Sequence, residues 1–156
     1  MRGRSLRAND IALGMGLASL ALIAGALGFQ YLGGIAPCEM CHWQRWPHFA
    51  AAIIGVVLVR FAPRNARPLA WICVGLLLIT GGIGLYQTGM QNHLLPGPSS
   101  CSGHRFVVGS NMVPDVQCDV VTWELFGLSL AAYNAIFSFL IAGLGAIALV
   151  KEKHAA

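Results

Sequence analysis

The stretch APCEMCHWQRWPH, residues 36–48, places two cysteines two residues apart at the mouth of an apolar run. Read one way, Cys38-Glu39-Met40-Cys41-His42 is a C-x-x-C-H signature of covalent haem attachment. Read another way, Cys38 and Cys41 are a redox-active dithiol and His42 follows them incidentally. The choice depends on the chain around the motif.

Of the 156 residues, 56% are hydrophobic and only 10% are charged, whereas soluble domains carry about a quarter charged residues. The composition is that of an integral membrane protein. Four apolar runs, near 11–32, 43–61, 69–90 and 127–150, each approach the ~20 residues a helix needs to cross the hydrocarbon core. The expected fold is therefore all-α: one four-transmembrane-helix bundle over 1–156, with two extracytoplasmic cysteine-bearing loops, 33–42 and 91–126. Arg45, Pro47 and His48 crowd the start of the second run. Proline is tolerated in a first helical turn, so that helix is expected to start near residue 43. The first run follows Arg2, Arg4 and Arg7 as a signal peptide would. It is longer than a signal h-region and no A-x-A site follows, so a retained helix is expected. Pro37 argues against a lipoprotein site at Cys38.

Four spans put the termini and the 60–68 loop on one side, with Arg2, Arg4, Arg7, Arg60, Arg64, Arg67, Lys151 and Lys153. Only Arg45 and Arg105 fall on the other side. The positive-inside rule places the basic side in the cytoplasm and both cysteine loops outside. In a bacterium the outside is the periplasm, where disulfides persist. The net charge of +4 then reports topology, with lipid as the surrounding partner and no need for nucleic acid.

Five cysteines are present. Cys73 lies inside the third run and reads as a packing residue. The other four fall two and two into the outward loops. Cys101 and Cys118 taken alone suit a structural staple, closing the 101–118 loop for roughly 3 kcal/mol in the chain-entropy model. A staple between Cys38 and Cys41 constrains little, and a two-residue spacer is the spacing of redox dithiols. Zinc held by the four cysteines, with His42 or His104 as substitutes, is disfavoured by the spacing of the second pair and by the oxidising compartment. Haem would use His42 as proximal ligand and Met90, His93 or Met112 opposite, but leaves Cys101 and Cys118 without a role. A metal centre is not expected.

Arg45 follows Cys41 by four residues, so on a helix the two share a face. It reads either as an interfacial anchor or as a cation that favours the Cys41 thiolate. A helix start at the dithiol would act in the same direction. A stabilised thiolate at the bilayer surface is placed to pass electrons to a membrane-dissolved acceptor, and a quinone fits that description.

The run from Cys38 through Gln44 and Arg45 to Trp46 and Pro47 resembles the C-x-x-C-x-x-Q-R motif, with its Trp-Pro extension, of the disulfide-bond formation protein B (DsbB) family of quinone-reducing thiol oxidases. Gly97–Ser102 and Gly127–Asn134 are also similar to family segments, and the resemblance covers the whole chain. It implies a bacterial inner-membrane enzyme that reoxidises a periplasmic thioredoxin-like dithiol protein of the DsbA type. Electrons would pass from Cys101 and Cys118 to Cys38 and Cys41, and then to ubiquinone or menaquinone. On this reading the donor attacks Cys101, Cys41 meets the quinone, and Cys38 resolves the adduct. Arg45, Gln44, His48 and Gln87 are the residues expected at the quinone. Some family members carry histidine where alignment through Tyr86 and Gly89 gives Gln87, which can hydrogen-bond a carbonyl but cannot act as an acid. His48 is either its substitute or an interfacial histidine without a role.

The proline- and glycine-rich 91–118 stretch reads as mobile, and Val120–Phe126 as an interfacial anchor. Gly81, Gly82, Gly84, Gly143 and Gly145 are expected at close helix contacts. Two rivals remain. A reductase of the vitamin K epoxide type would place its loop cysteines before the C-x-x-C, and a stapled scaffold would have no redox rate.

Overall fold

The structure, a computed structural model, describes residues 7–61, 66–98, 101 and 117–155. Helix α1 spans Ala8–Tyr31, α2 Glu39–Ala52, α4 Arg67–Gln91 and α5 Leu130–Ala155. Helix α2 runs without a break through a π-helical segment, Ile53–Leu58, into a short α3, Val59–Phe61. Among the described residues three helices are long and apolar enough to cross a membrane: α1, α4 and the Leu130–Glu152 part of α5. Only 33%, 39% and 28% of their apolar windows are buried. Their outward faces are therefore also apolar, as Leu17, Leu20, Leu78, Ile79, Leu140 and Leu144 show, and such helices suit a lipid surround.

Helix α2 starts four residues earlier than the sequence suggests. Its N-cap is Cys38, whose sulfur accepts the Cys41 N–H at 3.2 Å. Cysteine is not among the usual capping residues, and nothing in the sequence marks it as one. The earlier start places Cys41 inside the helix, not in a loop, and puts Pro47 in the helix interior, not in its first turn. There the proline removes the bond its N–H would make to the Trp43 carbonyl.

A second correction falls at residues 127–129. The last helix begins at Leu130, and an antiparallel hairpin pairs β1, Glu124–Leu125, with β2, Leu128–Ser129. Both turn residues have positive φ, Phe126 at 51° and Gly127 at 74°, as a two-residue primed turn requires. Among the described residues this ribbon is the only strand pair, and it takes up part of the predicted interfacial anchor.

The core runs between α1, α4 and α5 through Ala12, Met15, Ala70, Cys73, Leu77 and Leu149. Cys73 is fully buried and its thiol faces the Ala51 carbonyl at 3.8 Å, in line with a packing role. Helix α1 and the π-helical segment approach most closely at Gly16 and Gly55. A Cβ on Gly16 would lie 2.8 Å from the Gly55 Cα, and one on Gly55 would meet the Ala12 carbonyl. Of the glycines expected at contacts, Gly81 packs on Phe139, Gly84 on the Ala131 carbonyl and Gly145 on Met15, while Gly82 and Gly143 face open space.

At one end the three long helices are tied by polar contacts. Glu152 accepts the Ala8 N–H at 2.7 Å and lies 3.6 Å from Arg67, which donates to the Leu149 carbonyl at 2.8 Å. Arginine at the last carbonyls of a helix also complements its dipole. Both cysteine pairs lie at the opposite end of α4. Arg2, Arg4, Arg64, Arg105, His104, Met112 and most of the predicted mobile loop lie outside the described residues.

Candidate functional site

Cys38 and Cys41 are joined by a disulfide with Cα atoms 5.0 Å apart, and Cys101 and Cys118 by another at 5.3 Å. Both separations are ordinary for disulfides. The structure therefore supplies the pairing that the sequence left open. Cys38 caps α2, so any negative charge that develops on its sulfur meets the N–H groups and the positive end of a helix. Cys41 stands one turn on and is partly exposed, whereas Cys38 is 4% exposed. His42 is an exposed residue.

The second disulfide packs on the first. Cys101, Cys118, Cys38, Met40 and Met90 form one buried cluster, flanked by Cys41 and Ile83. Backbone bonds from Cys118 N to Cys101 O and from Cys101 N to Pro98 O, both 2.9 Å, hold the second pair in place.

A chain of polar side chains leads away from this cluster into the bundle. The Gln87 Nε2 donates to Cys38 Sγ at 3.2 Å and to the Cys118 carbonyl at 3.3 Å. Its Oε1 accepts from Gln44 Nε2 at 2.5 Å, and Gln44 Oε1 accepts from Asn134 Nδ2 at 2.7 Å. Asn134 Oδ1 lies 2.9 Å from His48 Nε2. A backbone carbonyl can only accept. The Cys118 carbonyl therefore sets the direction of every amide in the chain, and His48 Nε2 carries the hydrogen at the far end. Thr80 steadies the middle, donating to the Gln44 carbonyl at 2.9 Å, and Ser138 donates to Asn134 Oδ1 at 3.3 Å. Gln44, His48 and Gln87 are 6%, 4% and 2% exposed. Buried amides of this kind are stable only when their partners are present.

Beside the dithiol lies a cavity of about 350 Å³, bounded by α1, α2, α5, the end of α4 at Gln87 and Gln91, and the segment before the hairpin. Cys41, Arg45 and His48 line it together with Phe29, Gln30 and Trp123. The helical spacing that puts Cys41 and Arg45 on one face thus brings both to the same cavity. Arg45 Nη1 donates to Gln30 Oε1 at 2.6 Å, which fixes the guanidinium across from α1. Trp123 meets Phe29 at a centroid distance of 4.8 Å and Tyr133 at 6.4 Å. Tyr133 in turn stacks on Phe137 at 6.3 Å. Aromatic faces on an apolar wall suit a flat, unsaturated ring.

All eight predicted site residues thus converge: four as two disulfides, Arg45 at the cavity, and Gln44, His48 and Gln87 both in the amide chain and on the cavity lining. Sequence reasoning missed Gln30, Thr80, Asn134 and Ser138 as polar contributors. The available signal was a polar side chain inside an apolar run, which is costly in lipid and needs a partner. Trp123 and Phe29, far apart in the chain, gave no signal of contact.

A C-x-x-C disulfide at a helix start, a second disulfide packed on it and apolar helices long enough to span a bilayer define a membrane thiol–disulfide protein. The family model for the disulfide bond formation protein DsbB matches residues 8–148, and the chain belongs to that family. It is 33% identical to a disulfide bond formation protein B of Aromatoleum aromaticum, with 92% of this chain and 93% of that protein covered. It is 29% identical to one of Cupriavidus metallidurans, covering 88% and 91%, and 31% identical to one of an Azoarcus species, covering 74% and 76%. No solved structure matches it. The family forms disulfide bonds, and this chain carries the two cysteine pairs for that chemistry.

Proposed function

We propose that this protein is a quinone-reducing thiol oxidase of the bacterial inner membrane that reoxidises a periplasmic DsbA-type dithiol protein. The observation that carries this reading is that the second disulfide packs against Cys38 while Cys41, its bonded partner, lines an aromatic cavity. Electrons can enter from one side and leave on the other.

The fourth span in this reading is the continuous helical run of α2, the π-helical segment and α3. The basic end with Arg67 and Lys151 faces the cytoplasm, and both cysteine pairs face the periplasm. A donor thiolate attacks Cys101. Because Cys101 is only 4% exposed, the second pair must lift from the cluster to receive it. The donor leaves oxidised and the reduced pair returns to exchange with Cys38–Cys41.

The cavity fits a quinone head group. It has aromatic walls, a guanidinium from Arg45, and a buried His48 Nδ1 with no partner of its own. When bound, ubiquinone or menaquinone supplies an acceptor for two electrons and two protons. Arg45 would stabilise negative charge on Cys41 and offer a donor to a bound ring's oxygen, while Gln30 holds its orientation. Gln44 aligns the ring of His48 through Asn134, which leaves Nδ1 as an acceptor suited to the hydroxyl of the quinol and not to the quinone carbonyl. Cys38 re-forms the disulfide with Cys41.

Arg45→Met keeps the apolar stem and removes the charge. Its expected effect is a quinone KM raised at least about tenfold, the scale of one lost charge-assisted hydrogen bond, with donor KM unchanged. Quinol formation by the detergent-purified protein, driven by a reduced DsbA-type protein, measures both. No wild-type turnover with several donors and quinones would overturn the reading.

A further inference from the structure

Gln87 sits where an alignment would look for a quinone ligand, yet its amide nitrogen is spent elsewhere. Both of its hydrogens are engaged, one toward Cys38 Sγ at 3.2 Å and one toward the Cys118 carbonyl at 3.3 Å. Its oxygen is held by Gln44 at 2.5 Å. The side chain is 2% exposed and has no spare donor. One nitrogen therefore bridges the two disulfides, touching a sulfur of the first and the backbone of the second. A longer contact, 4.0 Å, reaches Cys41 Sγ.

We propose that Gln87 is the positioning residue that docks the second cysteine pair on the first for disulfide exchange. This rests on the oxidase reading above. Four features support it. The contact to the Cys118 carbonyl joins the 117–123 segment to α4 beside the cysteines. Gln44 fixes the rotamer of Gln87, and Asn134 fixes Gln44, so the bridging nitrogen is held by three helices, α2, α4 and α5. An amide lacks a titrating proton, so the dock is insensitive to the protons that move from one pair to the other during the exchange. Finally, a hydrogen bond to sulfur strengthens as negative charge develops there, so Gln87 holds Cys38 most firmly during the exchange itself.

The exchange balances as follows. The Cys101 and Cys118 thiols lose two protons and two electrons and become a disulfide. The Cys38–Cys41 bond breaks, and its two sulfurs take up the electron pair and then two protons. Gln87 exchanges no atoms; it sets the distance over which one thiolate must travel. Effective concentration is sensitive to such positioning.

The experiment uses the full chain in detergent, with Gln87→Met and Gln87→Leu, which remove both donors at similar volume. Reduced DsbA-type protein is mixed with the oxidised enzyme without quinone. Samples are acid-quenched and alkylated, and mass spectrometry follows the redox state of each pair. The expected result is reduction of Cys101–Cys118 at the wild-type rate, followed by transfer to Cys38–Cys41 slowed about tenfold or more, the scale of one or two lost hydrogen bonds. In the same variants the quinone KM is measured separately, with a small dithiol that reduces Cys38–Cys41 directly. Wild-type transfer rates in both variants would overturn the positioning role, as would a raised quinone KM with normal transfer, which would make Gln87 a quinone ligand. If the wild type itself transfers nothing from pair to pair, the oxidase reading fails and the positioning role with it.

Discussion

Cys41→Ser abolishes quinone reduction. The expected loss is about 10³-fold or more, down to the uncatalysed background, as for removal of other covalent nucleophiles. Serine at this position can be accommodated, since Cys41 is partly exposed and its backbone N–H to Cys38 belongs to the helix cap. What is lost is chemistry: a hydroxyl is not deprotonated at neutral pH and cannot re-form a bond with Cys38. Quinol formation by purified protein with a reduced dithiol donor checks it. In the same variant Cys38 is left as a single thiol at the start of α2, where the helix terminus favours its thiolate. It is then expected to trap a donor or the second pair as a stable mixed disulfide, visible on a non-reducing gel.

Replacing both Cys101 and Cys118 by serine separates the relay from a staple. Donor-driven turnover is expected to fall by about 10² or more, because a protein thiol must then reach the buried Cys38 or the recessed Cys41 directly. Turnover driven by a small dithiol is expected to survive within about fivefold, because the Cys41 cavity and its Arg45 are untouched. A scaffold whose second disulfide only holds the loop gives the opposite pattern: both rates fall together as the loop loosens, and the melting temperature drops. Comparing the two donors on one preparation, with thermal unfolding in the same detergent, decides between them.

Much of this site is legible in the chain because its chemistry depends on local spacing. Cys38, Cys41 and Arg45 lie within eight residues, and a helix alone brings Cys41 and Arg45 to one face. The apolar runs similarly announce α1, α4 and α5, since lipid demands that each helix satisfy its own backbone. The start of α2 was not legible, because the cap is a sulfur and not a hydroxyl or carboxylate. Nor was the hairpin, which depends on Phe126 adopting positive φ, a conformation rarely taken by a bulky residue. The amide chain from Gln87 to His48 draws on three helices separated by tens of residues, and pattern within one helix cannot reveal such partners. Gly16 and Gly55 escaped notice for the same reason. Each looks like any other glycine in an apolar run until the two backbones meet.

The most direct test of the oxidase reading is a single-turnover measurement on the purified wild type. Oxidised protein, preloaded with a membrane quinone, is mixed with less than one equivalent of reduced DsbA-type protein, and quinol is followed by absorbance while free thiols are counted. The expected result is one quinol for every two donor thiols consumed, with quinol appearing only after Cys101–Cys118 has been reduced. Donor thiols lost with no quinol formed, or quinol formed while Cys101–Cys118 remains oxidised, would contradict it.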